Sequence, residues 1–170
     1  MNTYLTSVMA RGLLGFCLGV ATCAVAQDAK EPFKLLLKVE AAAQSNPDET
    51  GRPSPVKVRV YELKDSNTFS EADYFSLNAN DKSVLGSDLL SKVEMILRPG
   101  ETKRIERKSH PQATSIGILA GYRDMNSLWR VVEPLPEAPT ASWLRKVMPG
   151  KKVELLIQLQ PHGIVIVPAP

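Results

Sequence analysis

The chain has 170 residues, with 21 Lys and Arg against 18 Asp and Glu, two histidines and two cysteines. A net charge of +3, spread rather than clustered, gives no footprint for nucleic acid. Both cysteines, Cys17 and Cys23, sit in the uncharged N-terminal run, so the rest of the chain has no disulfide framework, thiolate metal site or catalytic thiol.

Arg11 is the only charge before the uncharged stretch Gly12–Ala26, and Asp28 follows it. A membrane-spanning helix needs ~20 apolar residues; a run this short is the length of a secretory core segment. Ala24-Val25-Ala26 before Gln27 suits signal-peptide cleavage, giving a leader of residues 1–26 and one domain of residues 27–170. A second processing site is open. Val20-Ala21-Thr22-Cys23 half fits a lipoprotein signal of residues 1–22, with Cys23 as the lipidated N-terminus and Thr22 where Gly, Ala or Ser is expected. From Gln27 onward 20 basic residues face 18 acidic ones, and the length suffices for a real core.

Phe33 to Ala41 reads as the first strand, with Phe33, Leu35, Leu37 and Val39 on one face. Next comes turn chemistry, Asn46-Pro-Asp-Glu-Thr-Gly51-Arg-Pro-Ser-Pro55. Proline fixes φ and glycine permits positive φ, so this is a stiff, displayed loop. Val56, Val58 and Val60 then alternate with Lys57, Arg59 and Tyr61, the period of a half-buried strand. A stiff loop on a well-specified strand suits a binding surface, though spacing alone favours an ordinary connection between two strands.

Thr68-Phe-Ser-Glu71 has the spacing of a capping box, and Glu71–Leu77 lacks Pro, Gly and β-branched residues, which predicts a short helix. Val84–Leu90 reads as another turn or two, making a helical insertion at about 68–90 between strands 2 and 3. Lys92–Leu97 and Thr102–Lys108 flank Arg98-Pro-Gly-Glu101, a type II turn expected to join a hairpin. Ser115–Tyr122 is apolar on both faces and predicts a central strand. Leu128–Glu133 is a further strand, Pro134–Pro139 cannot be a central one, and Ser142–Met148 is ambiguous. Lys152–Gln160 and Ile164–Val167 form a last hairpin around Pro161-His-Gly163. About seven strands with short turns predict a mostly-β sandwich. Its core should include Leu35, Leu37, Val58, Val60, Ile116, Ile118, Trp129, Leu155 and Ile157.

Catalytic chemistry is not legible. His110 and His162 adjoin turns, in Ser-His-Pro and Pro-His-Gly, and no suitably spaced carboxylates make them a zinc site. No phosphate loop or nucleophile elbow appears, and Asp124 after Arg123 reads as a turn residue with a local ion pair. The expectation is a protein without catalysis, metal, cofactor or small-molecule substrate.

A set of short words runs through the chain. Asn46-Pro-Asp48, Gly51-Arg-Pro-Ser-Pro55, Val58-Arg-Val-Tyr-Glu-Leu63, Phe69 with Ala72-Asp73, and Leu85-Gly with Asp88-Leu-Leu90 come first. Pro99-Gly-Glu101, Ile116-Gly with Ala120, Tyr122-Arg-Asp124 and Trp129-Arg130 follow. In this order, over about Leu35 to Val132 and behind a signal peptide, they resemble the type VI secretion outer-membrane lipoprotein family, TssJ (SciN/VasD-like). The resemblance implies a two-sheet transthyretin-like β-sandwich with a short helical insertion, tethered by lipid to the periplasmic face of the outer membrane. It implies binding to the periplasmic C-terminal region of the inner-membrane TssM protein through the loop between the first two strands. That loop maps onto Gln44–Pro55, with Asn46, Pro47, Asp48, Glu49, Thr50, Gly51 and Arg52 as its contact residues. The rival from another class is a free periplasmic ligand-binding or chaperone-like sandwich, which needs an apolar groove or an open sheet edge. A hydrolase on the same fold would need its histidines on strands.

Overall fold

The computed structural model describes residues 32–136 and 152–168. The leader, Cys23 and the ambiguous Ser142–Met148 stretch lie outside them. Among the described residues there are eight strands: β1 Lys34–Ala41, β2 Val56–Leu63, β3 Leu89–Leu97, β4 Thr102–Lys108, β5 Ser115–Gly121, β6 Arg130–Pro134, β7 Lys152–Gln160 and β8 Gly163–Pro168. They make two four-stranded sheets, ordered β4-β1-β7-β8 and β3-β2-β5-β6. All pairings are antiparallel except β1 with β7, which runs parallel with Leu37 opposite Leu155.

The alternation in each strand sends one row of side chains between the sheets. Leu35, Leu37 and Val39 of β1 meet Val58 and Val60 of β2, Ile116 and Ile118 of β5, and Leu155 and Ile157 of β7 in one buried cluster. Trp129, expected in this core, is only partly buried and packs against its side. Ile118 is fully buried in an interior strand. Ile118→Ala should therefore lower unfolding free energy by ~2–5 kcal/mol in a urea titration. A loss under about 1 kcal/mol would contradict the assignment of β5 to the core.

The structure departs from the sequence expectations at three points. The turn at Pro99-Gly100 forms, with Gly100 at φ 79°, but its strands make no hairpin. β3 pairs with β2 and β4 with β1, so the chain crosses between sheets at this turn. The end of β1 captures it: Gly100 N–H donates to Ala41 O at 2.9 Å, and Ala41 N–H to Glu101 O at 2.9 Å. The capping box also fails. The first helix, α1 (Asn67–Glu71), begins at Ser66 without a side-chain cap, and Thr68 Oγ1 instead donates to Asp88 Oδ2 at 3.0 Å. Ala72 is extended, and Asp73 caps α2 (Tyr74–Leu85) by accepting from Ser76 N–H at 3.0 Å. Beyond a single 3₁₀ turn, Gly86–Asp88, Leu89 and Leu90 already belong to β3 rather than to a helix.

The insertion lies on the outer face of the second sheet. Phe69, Leu77 and Leu85 bury against Tyr61, Leu63 and Leu119 in a second cluster. Gly117 permits this approach, because a Cβ there would lie 2.9 Å from Phe69 Cε1. β2 is thus covered on both sides rather than half-buried; even Arg59 is 7% exposed. Alternation reports polarity, and here the polar row is satisfied by the insertion: Arg59 Nη1 donates to Leu77 O at 3.0 Å and Asn78 O at 3.2 Å. Arg130 Nη1 similarly donates to Phe69 O at 2.8 Å and Ala72 O at 2.6 Å. Its guanidinium stacks 4.6 Å from the Trp129 ring centroid.

Candidate partner-binding loop

The β1–β2 connection leaves the sandwich at Ala42, whose N–H donates to Leu159 O at 2.9 Å. It returns beside itself, because Ser54 N–H donates to Ser45 O at 3.1 Å. Asn46 then turns the chain outward in the left-handed region at φ 49°, a conformation asparagine tolerates better than most side chains. Its side chain is buried and acts as a strut. Its Nδ2 donates to Pro55 O at 2.9 Å, and its Oδ1 accepts from Arg123 N–H at 2.8 Å. The second bond ties the loop to the β5–β6 loop.

Asp48 organises the tip. Its Oδ1 accepts from Thr50 N–H at 2.9 Å, Thr50 Oγ1 at 2.7 Å and Arg52 N–H at 3.0 Å, while Oδ2 accepts from Arg52 Nε at 2.9 Å. Asp48 N–H donates to Arg52 O, and Gly51 N–H to Asp48 O with Gly51 at φ 80°, which closes the turn. The hydrogen bond from the Thr50 hydroxyl, with those from Arg52, holds the carboxyl down to about 2. Asp48 is therefore an internal clamp, and Glu49, Thr50, Gly51 and Arg52 form the exposed tip.

This tip is one wall of a polar cleft of about 590 Å³. Arg123, Asp124 and Ser127 of the β5–β6 loop and Pro161-His162 of the β7–β8 turn supply the others. The two far walls are joined by backbone: Leu128 N–H donates to His162 O at 3.0 Å, and Ile164 N–H to Leu128 O at 3.0 Å. Asp124 is a turn residue as expected, but its partner differs. Its carboxylate accepts from Asn126 N–H at 2.9 Å and Nδ2 at 3.1 Å, and no ion pair links it to Arg123 among the described residues. Sequence reading missed Arg123, Ser127 and His162 as neighbours of the loop, since nothing local signals a contact across 77 residues. His110, by contrast, lies away from the cleft, its Nδ1 accepting from Gln112 N–H at 3.2 Å.

Residues 34–162 match the family described as type VI secretion lipoprotein, VasD, EvfM, TssJ. The chain belongs to the type VI secretion lipoprotein family. Among solved structures, the T6SS lipoprotein TssJ1 from Pseudomonas aeruginosa is similar at 36% identity and TM-score 0.72, covering 82% of this chain and 98% of that one. Serratia marcescens Lip, a membrane-bound component of the type VI secretion system, is similar at 35% identity and TM-score 0.71, covering 79% and 96%. A chain in a structure of a type VI membrane complex is similar at 25% identity and TM-score 0.65, covering 80% and 98%. No curated protein sequence matched. Family membership fits a sandwich whose described residues contain no helix long and apolar enough to cross a membrane.

Proposed function

We propose that this family member is a non-catalytic assembly component of a type VI secretion envelope complex. It sits at the periplasmic face of the outer membrane and binds the periplasmic C-terminal region of a TssM-type inner-membrane protein. The observation that carries the reading is the clamped β1–β2 loop. Asp48 and Asn46 fix its shape before any partner arrives, so association orders little further chain and the exposed tip loses little entropy. Calorimetric titration of the exported protein with the TssM periplasmic region tests this. Saturable one-site binding is expected, and no heat or pull-down at high micromolar concentration would contradict it.

Attachment to the membrane is assigned to Cys23. A diacylated N-terminus supplies the two chains that stable anchoring needs, and Ala24 at the next position carries no inner-membrane retention signal. Fractionation should place wild type in the outer membrane and Cys23→Ser in the soluble periplasm. A soluble wild type beginning at Gln27 would mean that cleavage follows Ala26.

One observation favours the rival ligand-binding reading: an open groove of about 410 Å³ on the outer face of the first sheet, lined by Leu36, Leu156 and Val167. An apolar probe such as a fatty acid should fail to displace the TssM region if that groove is separate from the docking end.

A further inference from the structure

We propose that the docking surface is composite, and that Arg123, with Ser127 beside it, receives an acidic side chain of the partner in the cleft between the three loops. The inference rests on the partner reading above but moves the charge-recognising residues off the β1–β2 loop.

Of the loop's three charges, Asp48 and Arg52 are bonded to each other, while Glu49 at the exposed tip has no ion pair or side-chain hydrogen bond among the described residues. Asp48 is held by four hydrogen bonds from Thr50 and Arg52, and Arg52 spends its Nε on Asp48. Asp124, across the cleft, spends one carboxylate oxygen on Asn126. Arg123 is exposed, lines the cleft and has no ion pair or side-chain hydrogen bond among the described residues. Its backbone, however, is pinned by Asn46 Oδ1 at 2.8 Å. The guanidinium therefore has a fixed root and five uncommitted N–H donors, the arrangement suited to a carboxylate.

Ser127 is the second, independent observation. It lines the same cleft at 5% exposure, and its Oγ has no hydrogen-bond partner. Buried hydroxyls are ordinarily satisfied; Ser127 Oγ is itself buried, so a turn about χ1 would bring its O–H to one oxygen of an entering carboxylate while Arg123 donates to the other. His162 closes the far wall through the β7–β8 turn. That turn is held by the backbone bonds between Leu128 and the His162–Ile164 segment, an approach glycine permits, since a Cβ on Gly163 would come within 2.8 Å of Leu128 Cβ.

The test uses the exported full chain and the TssM-type periplasmic region in calorimetry at low and moderate salt. Arg123→Glu should weaken binding by at least about tenfold and reduce its salt dependence, whereas Arg123→Lys should recover part of the affinity. Ser127→Ala should weaken binding several-fold with the salt dependence intact. Arg123 is exposed, so circular dichroism should show unaltered folding. Unchanged affinity in both Arg123→Glu and Ser127→Ala, with binding still lost on deletion of Asn46–Arg52, overturns the composite cleft and leaves the partner reading standing. Absence of binding by the wild type overturns both.

Discussion

Asp81→Ala is expected to destabilise the fold by ~3–5 kcal/mol, the cost of removing one partner from a buried ionic cluster. Asp81 belongs to α2 of the helical insertion and is 5% exposed. Lys92 Nζ lies 2.7 Å from its Oδ2, Tyr61 OH donates to the same oxygen at 3.0 Å, and Arg59 Nη1 is 3.6 Å away. Arg59 is also bonded through Nε to Glu94 at 2.6 Å and through Nη1 to the Leu77 carbonyl. Without Asp81, Arg59 keeps those partners but loses its buried counter-charge, and the Tyr61 hydroxyl loses the one hydrogen bond it makes among the described residues. Urea unfolding at neutral pH measures the effect, and a loss under about 1 kcal/mol would mean that the insertion is held by its apolar contacts alone. The pH dependence has a definite sign. Burial by itself raises the Asp81 pKa, but hydrogen bonds from Lys92 and Tyr61 outweigh it and leave it below 3.8. The stabilisation is therefore full above the unfolded value and is lost as pH falls through the folded one. The gap between wild type and Asp81→Ala should shrink as pH drops below about 4.

The strands were legible because each carries its period in adjacent residues. Leu35, Leu37 and Val39 announce β1 without reference to any other element. What the sequence could not state is which strand each one meets. Pro99-Gly100 specifies a turn, and a turn of that type serves a hairpin or a crossing between sheets equally well. The choice was made by Ala41, 59 residues before Gly100, through its backbone bonds to that turn. The helical insertion was legible in place but not in detail, because Thr68 and Asp73 are both good capping residues and Ala72 breaks the helix between them. Of the binding end, the stiffness of the loop could be read from Pro47, Gly51, Pro53 and Pro55. The inward role of Asn46 and Asp48 could not, since exposure depends on where the β5–β6 loop and the Arg52 side chain come to rest.

Deleting Asn46–Arg52 is expected to abolish binding to the TssM periplasmic region while leaving the sandwich folded. The geometry of the excision favours this outcome. Ser45, which borders the cut, and Ser54, one residue past the new junction at Pro53, are already joined by a backbone hydrogen bond of 3.1 Å, so the two ends of the cut stand close together. Closure entropy changes only slowly with loop length, and the anchoring bond from Ala42 N–H to Leu159 O is untouched. The core row of β2 begins at Val56, beyond the deletion. What is lost is the exposed tip and the strut from Asn46 to Arg123, hence one whole wall of the cleft. Calorimetric affinity of the deletion variant for the TssM region, read beside its circular dichroism and thermal melt, is the most direct measurement. The expected result is no detectable binding with a near-native spectrum and cooperative melt; a folded deletion variant that binds with unchanged affinity would contradict the account.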